Sequence, residues 1–249
     1  MLGVKGWHRI GPHPELAAWA QAAHPLAVSA LANTDQALRC GGTWAVGLDL
    51  LPNAPDGGIA QVPLAWDVLG LAPEPLHRAQ LSTIFPGYPM PSAEETAAAL
   101  AFRRNRDGAH LDGLLPVGPD RRRMIKEPHG WILGLPLNQC GAGASPLVVW
   151  EGSQEIMRAA LTEVLAGHPA PLWGEVDVTD AYGAARKRVF ETCARVEVDA
   201  APGEALLLHR LLLHGVAPWA AGATAPPEGR MIAYFRPVKP SVRDWLGAP

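Results

Sequence analysis

Cysteine is scarce in this sequence, and no two cysteines are close together. The three cysteines, Cys40, Cys140 and Cys193, lie far apart, and no CxxC spacing occurs. An odd number at these separations argues against a disulfide framework and against a cysteine-based zinc site. The pattern is typical of a protein from a reducing compartment.

Long apolar runs and a basic face are also missing. Pro12, Pro25 and several polar residues divide the segment 1–36, and no stretch reaches the roughly eighteen apolar residues that a membrane helix requires. We therefore expect a cytoplasmic protein with no membrane partner. The formal net charge is −3 and there is no basic tail, so we expect no nucleic-acid partner either.

The sequence is rich in apolar residues and in residues that form turns. Of its 249 residues, 48% are apolar, which is enough to bury a sizeable core in one large domain. The 26 glycines and 25 prolines follow no period and separate many short elements, as in a β-rich fold with long loops. We expect a single domain over residues 1–249.

Local patterns predict a few helices and a dense run of short strands. A helix over 14–31 is interrupted at Pro25, and a capping box of Ser92 and Glu95 opens a helix that ends at Asp107-Gly108. Two more helices are predicted in 153–167 and 180–192. The segment 41–58 is predicted to contain a strand and then a loop. Further strands are predicted in 77–85, 130–138, 145–153, 194–200, 201–209 and 229–237.

This order of elements favours a mainly β fold with flanking helices. Neither regular strand–helix alternation nor a GxGxxG motif is present, so a doubly wound parallel sheet fits less well. We predict a double-stranded β-helix, the cupin-like jelly roll. In this prediction residues 1–105 form a helical or mixed part that packs on a metal-binding jelly-roll core over 106–237.

The segment RDGAHLDGLLPVG places His110 and Asp112 one residue apart. On extended backbone such residues point to the same side, and non-haem Fe(II) oxygenases bind their metal with two histidines and one carboxylate. By itself the pair is more often an incidental feature of a solvent-exposed loop. A third ligand is available downstream in LLLHRLLLHGVAPW, as His209 or His214, and Arg230 follows on the last predicted strand.

The downstream segment APGEALLLHRLLLHGVAPW…GRMIAYFRP resembles the C-terminal signature of the phytanoyl-CoA dioxygenase family of Fe(II)/2-oxoglutarate oxygenases. In that signature a Pro-Gly turn and a strand precede a His-Gly, and an arginine follows on the next strand. SPLVVWEGSQE resembles another segment of the family, with Glu151 and Gln154 in place of its Pro and its final His. The resemblance covers roughly residues 106–237.

The resemblance implies a role for each matching residue. His110, Asp112 and His214, which precedes Gly215, would bind Fe(II). Arg230 would hold the distal carboxylate of 2-oxoglutarate, because a guanidinium binds a carboxylate in bidentate fashion. A carboxylate at position 112 argues against the halogenating relatives, which have a small residue there.

The implied activity is hydroxylation of a small organic substrate, with Fe(II), 2-oxoglutarate and O₂ as cofactor and co-substrates and with release of succinate and CO₂. One alternative is a cupin-type iron dioxygenase or isomerase that does not use 2-oxoglutarate. Another is a catalytically silent jelly-roll binding protein. Neither the identity of the small-molecule substrate nor the oligomeric state can be read from the sequence.

Several further residues are candidates for the pocket or its rim. Tyr234 shares a strand face with Arg230, and Trp131 and Asn138 lie on the strand after the His-x-Asp pair. Each could face the pocket or simply pack in the core. Arg103 and Arg106 lie in RRNR, and DRRR follows at 120–123; these runs form either a solvated surface or the rim of a site for an anionic substrate.

Overall fold

The computed structural model describes residues 2–93 and 95–247, and the strands named here pair only in antiparallel fashion. The sequence expectation of a mainly β fold with flanking helices is confirmed. The strands are β1 (Trp7–Ile10), β2 (Trp44–Asp49), β3 (Gln80–Ile84), β4 (Leu114–Val117), β5 (Arg122–Ile125), β6 (Trp131–Pro136), β7 (Leu147–Trp150), β8 (Arg195–Val198), β9 (Ala205–His209), β10 (His214–Val216) and β11 (Arg230–Phe235).

Six strands form a large sheet in the order β1-β9-β6-β11-β3-β2. A smaller sheet has the order β10-β7-β8, and β4 and β5 form a hairpin. The helices are α1 (Pro14–Ala32), α2 (Trp66–Leu69), α3 (Ala97–Arg106), α4 (Ser153–Leu165), α5 (Thr179–Thr192) and α6 (Val242–Leu246), with a 3₁₀ turn over Ala170–Glu175. Of the helices described, none combines the length and the hydropathy needed to cross a membrane.

The N-terminal residues differ in role from the sequence expectation. Instead of only packing on a core that begins at residue 106, they contribute β1, β2 and β3, half of the large sheet. β1 pairs with β9, and β3 pairs with β11, so residues far apart in the sequence form neighbouring strands. Such pairings depend on tertiary packing, which short and partly exposed strands do not reveal by local pattern.

Two helix predictions also need correction. α1 continues through Pro25 as one helix, because burial of a face that includes Trp19, Ala23 and Ala27 stabilises it against the missing hydrogen bond. α3 begins at Ala97 rather than near Ser92. Its N-cap is Thr96, whose hydroxyl accepts a hydrogen bond of 3.2 Å from the backbone N–H of Ala99.

The helices pack on the outer faces of the two sheets, whose inner faces contact each other. α1 covers the large sheet, where Trp19 makes an edge-to-face contact with Phe235 at 5.9 Å between ring centroids. α4 and α5 share a second core with the small sheet. Apolar side chains of β6 and β9 meet those of β7 and β8 between the sheets. The candidate site lies between these inner faces.

Candidate metal centre

His110 and His214 are brought together by the backbone. The His110 N–H donates to the His214 carbonyl at 2.8 Å, and the His214 N–H donates back to the His110 carbonyl at 3.1 Å. This bridge adds residue 110 to the edge of the small sheet beside β10. Gly215 permits the close approach, because a Cβ there would overlap the Asp107 carbonyl oxygen. The glycine of the His-Gly pair therefore has a packing role.

Three side chains converge at this bridge. The Nε2 atoms of His110 and His214 lie 3.3 Å and 3.7 Å from Oδ1 of Asp112. One nitrogen or oxygen atom from each of the three residues lies within 4.8 Å of the other two, close enough for all three to hold one metal ion. The structure thus groups the three residues that the sequence predicted as metal ligands.

Backbone carbonyls determine which nitrogen of each histidine is free. His110 Nδ1 lies 3.1 Å from the Gly108 oxygen, and His214 Nδ1 lies 3.0 Å from the Leu212 oxygen. A carbonyl can only accept a hydrogen bond, so each Nδ1 carries a proton, and Nε2 is the nitrogen of each ring that faces Asp112. A second hydrogen bond of this kind orients histidines that bind metals.

The protonation states suit a cation. Burial lowers the pKa of His214 to about 4, although the nearby Asp112 carboxylate acts in the opposite direction. Burial acts to raise the pKa of Asp112, but the neighbouring His110, His214 and Arg236 outweigh it and hold that pKa well below its usual range. At neutral pH an ionised carboxylate and the lone pair of a neutral His214 therefore face each other, an arrangement that a cation would stabilise.

A cavity of about 90 Å³ adjoins the three side chains, between the two sheets. Its wall is largely apolar, with Leu81, Ile132, Leu147 and Leu208 contributed by strands of both sheets. His110 also borders a larger outer cleft, and 47% of its side chain is exposed. The site is thus accessible from the side of His110 and buried on the side of Asp112.

Arg236 is a site residue that the sequence reasoning missed. Its Nη1 donates a hydrogen bond of 2.7 Å to Oδ2 of Asp112, and the residue lines the same cavity. The alternation that places Arg230, Ile232 and Tyr234 on one face of β11 extends to position 236, so this signal was present in the sequence.

His209, the alternative third ligand, lies in a different environment. Its Nε2 is 3.0 Å from Arg158 Nη2, and its Nδ1 is 3.0 Å from the Leu211 backbone nitrogen. Both ring nitrogens thus face hydrogen-bond donors. Burial, together with the positive charges of Arg210 and Arg158, lowers the pKa of His209 to about 3. It is a neutral core histidine and does not belong to the group around Asp112.

Arg230 does not line the metal-site cavity. It is 9% exposed and lines a separate cavity of about 230 Å³ at the other end of β11. Within residues 2–93 and 95–247 no carboxylate forms an ion pair with it. Asn138 fixes the start of the strand, because its side chain donates to the Gly229 carbonyl at 2.7 Å and accepts from the Met231 N–H at 3.0 Å.

Tyr234 lies on β11 between Arg230 and Arg236 and lines the metal-site cavity. Burial raises the pKa of its phenol, the positive charge of Arg230 acts to lower it, and Asp112 acts to raise it. Strand alternation places Arg230 and Tyr234 on the same face of β11. A molecule extending from Arg230 toward Asp112 would pass this residue.

Two of the predicted pocket or rim residues lie elsewhere. Trp131 faces the α1 side of the large sheet and donates to Glu74 at 2.9 Å, because strand alternation directs its neighbour Ile132 toward the metal-site cavity. Arg106 lies over the Phe190 ring at 5.2 Å and does not line the outer cleft. Arg103 does line that cleft.

Comparison with known proteins gives distant structural matches. A scan against protein-family models and a search of the curated proteins found no match. The non-heme alpha ketoglutarate dependent carbocyclase SnoK from nogalamycin biosynthesis is similar at 13% identity, with 98% of this chain and 85% of that chain covered and a TM-score of 0.44. AviO1 from Streptomyces viridochromogenes Tue57 has 15% identity, coverages of 96% and 94%, and a TM-score of 0.46.

EctD from S. alaskensis, in a structure with bound Fe, matches at 15% identity with coverages of 95% and 74% and a TM-score of 0.44. A second structure of EctD contains 2-oxoglutarate and 5-hydroxyectoine. Because all these TM-scores are below 0.5, the function of this chain has to be inferred from its own residues.

Proposed function

We propose that this chain is an Fe(II)- and 2-oxoglutarate-dependent dioxygenase that hydroxylates a small organic substrate and releases succinate and CO₂. The observation that carries the proposal is the group of His110, Asp112 and His214 at the bridge between β10 and residue 110. In this proposal the whole chain is one oxygenase domain of the phytanoyl-CoA dioxygenase-like type. Its two facing sheets correspond to the double-stranded β-helix.

The donor set fits iron. Two imidazole nitrogens and one carboxylate oxygen are the ligands of the non-haem Fe(II) oxygenases, and they leave coordination positions open for other molecules. Iron bound there would supply the oxidising chemistry, with 2-oxoglutarate and O₂ as co-substrates. The chain's own contribution is to orient both imidazoles through Nδ1, to keep Asp112 ionised, and to provide an apolar cavity that excludes water.

The surroundings of Arg230 fit a carboxylate ligand. A buried guanidinium without an ionic partner is costly, and a bidentate carboxylate would remove that cost. Asn138 forms hydrogen bonds with the backbone on both sides of position 230, which fixes the position of the Arg230 backbone from which the guanidinium extends. A dicarboxylate bound by Arg230 at one end would extend past Tyr234 toward the histidines. These features support Arg230 as the residue that binds 2-oxoglutarate.

The test is anaerobic titration of the protein with Fe(II) and then with 2-oxoglutarate, monitored by the metal-to-ligand charge-transfer absorbance. Wild type should develop the band, and His110→Ala should lose it together with iron binding. Arg230→Ala should still bind iron but should require at least about tenfold more 2-oxoglutarate, the loss expected for a charge-assisted hydrogen bond. Arg188→Ala, an exposed substitution on α5, is the control and should behave as wild type.

The outcomes separate the alternatives. Iron binding without any effect of 2-oxoglutarate would favour a cupin-type dioxygenase or isomerase, for which the separation of the Arg230 cavity from the metal-site cavity is the supporting observation. Equally weak iron binding by wild type and His110→Ala would contradict the metal site. The jelly-roll binding protein would then be the better description.

A further inference from the structure

The outer cleft beside the metal centre is the strongest unexplained feature of the molecule. It has a volume of about 1040 Å³, and its wall comes from α3 and the segments on either side of it, from α5, from the β4–β5 hairpin and from residues 38–41. His110 lines both this cleft and the metal-site cavity. A molecule bound in the cleft would therefore contact His110, one of the three candidate metal ligands.

The charges on the cleft wall are strongly one-sided. Among the described lining residues there is one carboxylate, Glu95, which forms an ion pair of 2.5 Å with one of the arginines. The whole chain has more acidic than basic residues, 24 against 21, so the excess of arginine over carboxylate in the cleft wall does not follow from composition. The arginine cleft, as we call it, is defined by five residues: Arg39, Arg103, Arg121, Arg123 and Arg186.

Four of these arginines have no acidic partner in the described part of the chain; the exception is Arg103, which is the partner of Glu95. The neighbouring Arg122 behaves differently, because it points outside the cleft and pairs with Asp177 and Asp180. An arginine on an ordinary solvated face has access to such partners. In the cleft, the positive charges are left free for a ligand.

Packing on aromatic rings holds two of the five guanidinium groups in place. Arg186 lies over the rings of Phe102 and Tyr182, at 4.7 Å and 5.3 Å from their centroids, and Arg103 lies 5.3 Å from the centroid of Trp44. Stacking on an aromatic face leaves the edge N–H donors of a guanidinium available. Because these side chains are already ordered, a bound anion would lose less free energy in fixing them.

We propose that the arginine cleft binds a multiply charged oxyanion group of the substrate, a phosphate or a cluster of carboxylates, and so directs the rest of the substrate toward His110. Guanidinium groups recognise both oxyanions through paired hydrogen bonds. Several unpaired arginines match a ligand group with at least two negative charges. This inference rests on the proposed function, since it names the class of substrate for the same metal centre.

Affinity for two probes tests the cleft without depending on iron. The full chain, freed of metal by chelation, would be titrated calorimetrically with phenyl phosphate and with tricarballylate. Arg186→Gln and Arg121→Gln should each weaken binding of the preferred probe by about tenfold. Arg188→Gln, on the same helix as Arg186 but outside the cleft, should change the affinity by less than about twofold, since exposed charges are screened.

The two-probe titration distinguishes the kinds of anion and tests the proposal itself. Tighter binding of phenyl phosphate would identify a phosphate-bearing substrate, and tighter binding of tricarballylate would identify a polycarboxylate. No binding of either probe would overturn the proposal. Binding that both cleft variants leave unchanged, or that Arg188→Gln weakens as much, would overturn it as well. Because the probes are titrated without metal, a failure of the Fe(II) and 2-oxoglutarate experiment would leave this result standing.

A second measurement relates the cleft to the metal centre. Phenyl phosphate bound to the Co(II)-loaded chain should show faster ³¹P relaxation than when bound to the Zn(II)-loaded chain, because the paramagnetic ion acts only over short distances. Arg186→Gln should reduce this difference along with the affinity. Binding without any relaxation difference would place the anion away from the metal and would contradict its role in directing substrate.

Discussion

Arg236 Nη1 donates a hydrogen bond of 2.7 Å to Oδ2 of Asp112, whereas Oδ1 of the same carboxylate is the atom nearest the two histidine Nε2 atoms. The two oxygens thus have separate partners. The arginine fixes the orientation of the carboxylate, compensates its charge in a buried position, and leaves one oxygen available to a metal ion. Arg236 is therefore a positioning residue for the candidate metal centre.

Replacing Arg236 should weaken metal binding without removing a ligand. We expect Arg236→Gln to lower the affinity for Fe(II) or Co(II) by about 10–100-fold, the usual loss when a group that orients a ligand is removed. Anaerobic metal titration measures the affinity, and circular dichroism checks the fold. The exposed Arg243→Gln is the control. An unchanged affinity in a folded Arg236→Gln protein would show that Asp112 needs no such support.

Short motifs and the family resemblance pointed to His110, Asp112 and His214, but not to the way in which they are held. The His-x-Asp pair and the later His-Gly were recognisable because each is a short motif. The backbone bridge between positions 110 and 214 is a contact over more than a hundred residues, and nothing in either motif specifies it. Arg236 was missed because the sequence reasoning gave a ligand-binding role on the predicted strand 229–237 to Arg230 alone, although position 236 lies on the same strand face.

For the fold, elements with strong local patterns were predicted and those fixed by tertiary contacts were not. The strand predicted in 130–138 is β6, which is buried along its whole length and lies inside the large sheet between β9 and β11. β1 has two exposed residues among four, so its place at the edge beside β9 could not be inferred. The interruption at Pro25 was predicted from the intrinsic cost of proline in a helix. Burial of one face of α1 outweighs that cost.

Gly215 should be essential for the approach of the two histidine-bearing segments. A methyl group at this position would overlap the Asp107 carbonyl and crowd Ala109, so Gly215→Ala should push residues 107–110 away from β10. We expect a loss of about 1–3 kcal/mol in stability from overpacking and at least about tenfold weaker metal binding. Chemical denaturation and metal titration measure the two effects.

Gly183→Ala on α5 is the matched control for that substitution. No atom lies within 4 Å of a Cβ built at Gly183, and alanine favours a helix over glycine by about 1 kcal/mol. The control should therefore be as stable as wild type or more stable, with unchanged metal affinity. Equal behaviour of the two alanine variants would mean that the space at Gly215 is not limiting.

His209 should make the stability of the metal-free protein depend on pH. Its folded pKa of about 3 lies below the ordinary histidine value of about 6.5, so below pH 6.5 the unfolded state binds more protons than the folded state. The contribution of this neutral histidine is complete above pH 6.5 and is lost as the pH falls toward 3. At pH 5 the loss is about 2 kcal/mol.

His209→Gln should reduce that dependence. Glutamine can still accept a hydrogen bond from Arg158 or from the Leu211 N–H, but it does not titrate. Urea denaturation gives the free energy of unfolding at pH 7 and at pH 5. The decrease from pH 7 to pH 5 should be about 1–2 kcal/mol smaller in the variant than in wild type. An identical difference in both proteins would mean that His209 is not held neutral by its surroundings.

Arg195 anchors the segment that precedes the candidate metal ligands His110 and Asp112. Its guanidinium donates two hydrogen bonds, of 2.8 Å and 2.7 Å, to the buried Asp107, and a third of 2.9 Å to the exposed Glu197. Arg195→Ala leaves the Asp107 carboxylate buried without its partner, and we expect a loss of about 2–4 kcal/mol. Glu197→Gln should cost less than about 1 kcal/mol, because water replaces an exposed ion pair.

A double substitution distinguishes the buried charge from lost packing. Asparagine tolerates the left-handed backbone of position 107, where φ is +56°, and carries no charge. If the unpaired carboxylate causes the loss, Arg195→Ala/Asp107→Asn should be more stable than Arg195→Ala alone, measured by urea denaturation at pH 7. If the double variant is no more stable than the single one, the cost comes from the missing arginine side chain, and the ion pair does not hold residues 107–110 against β8.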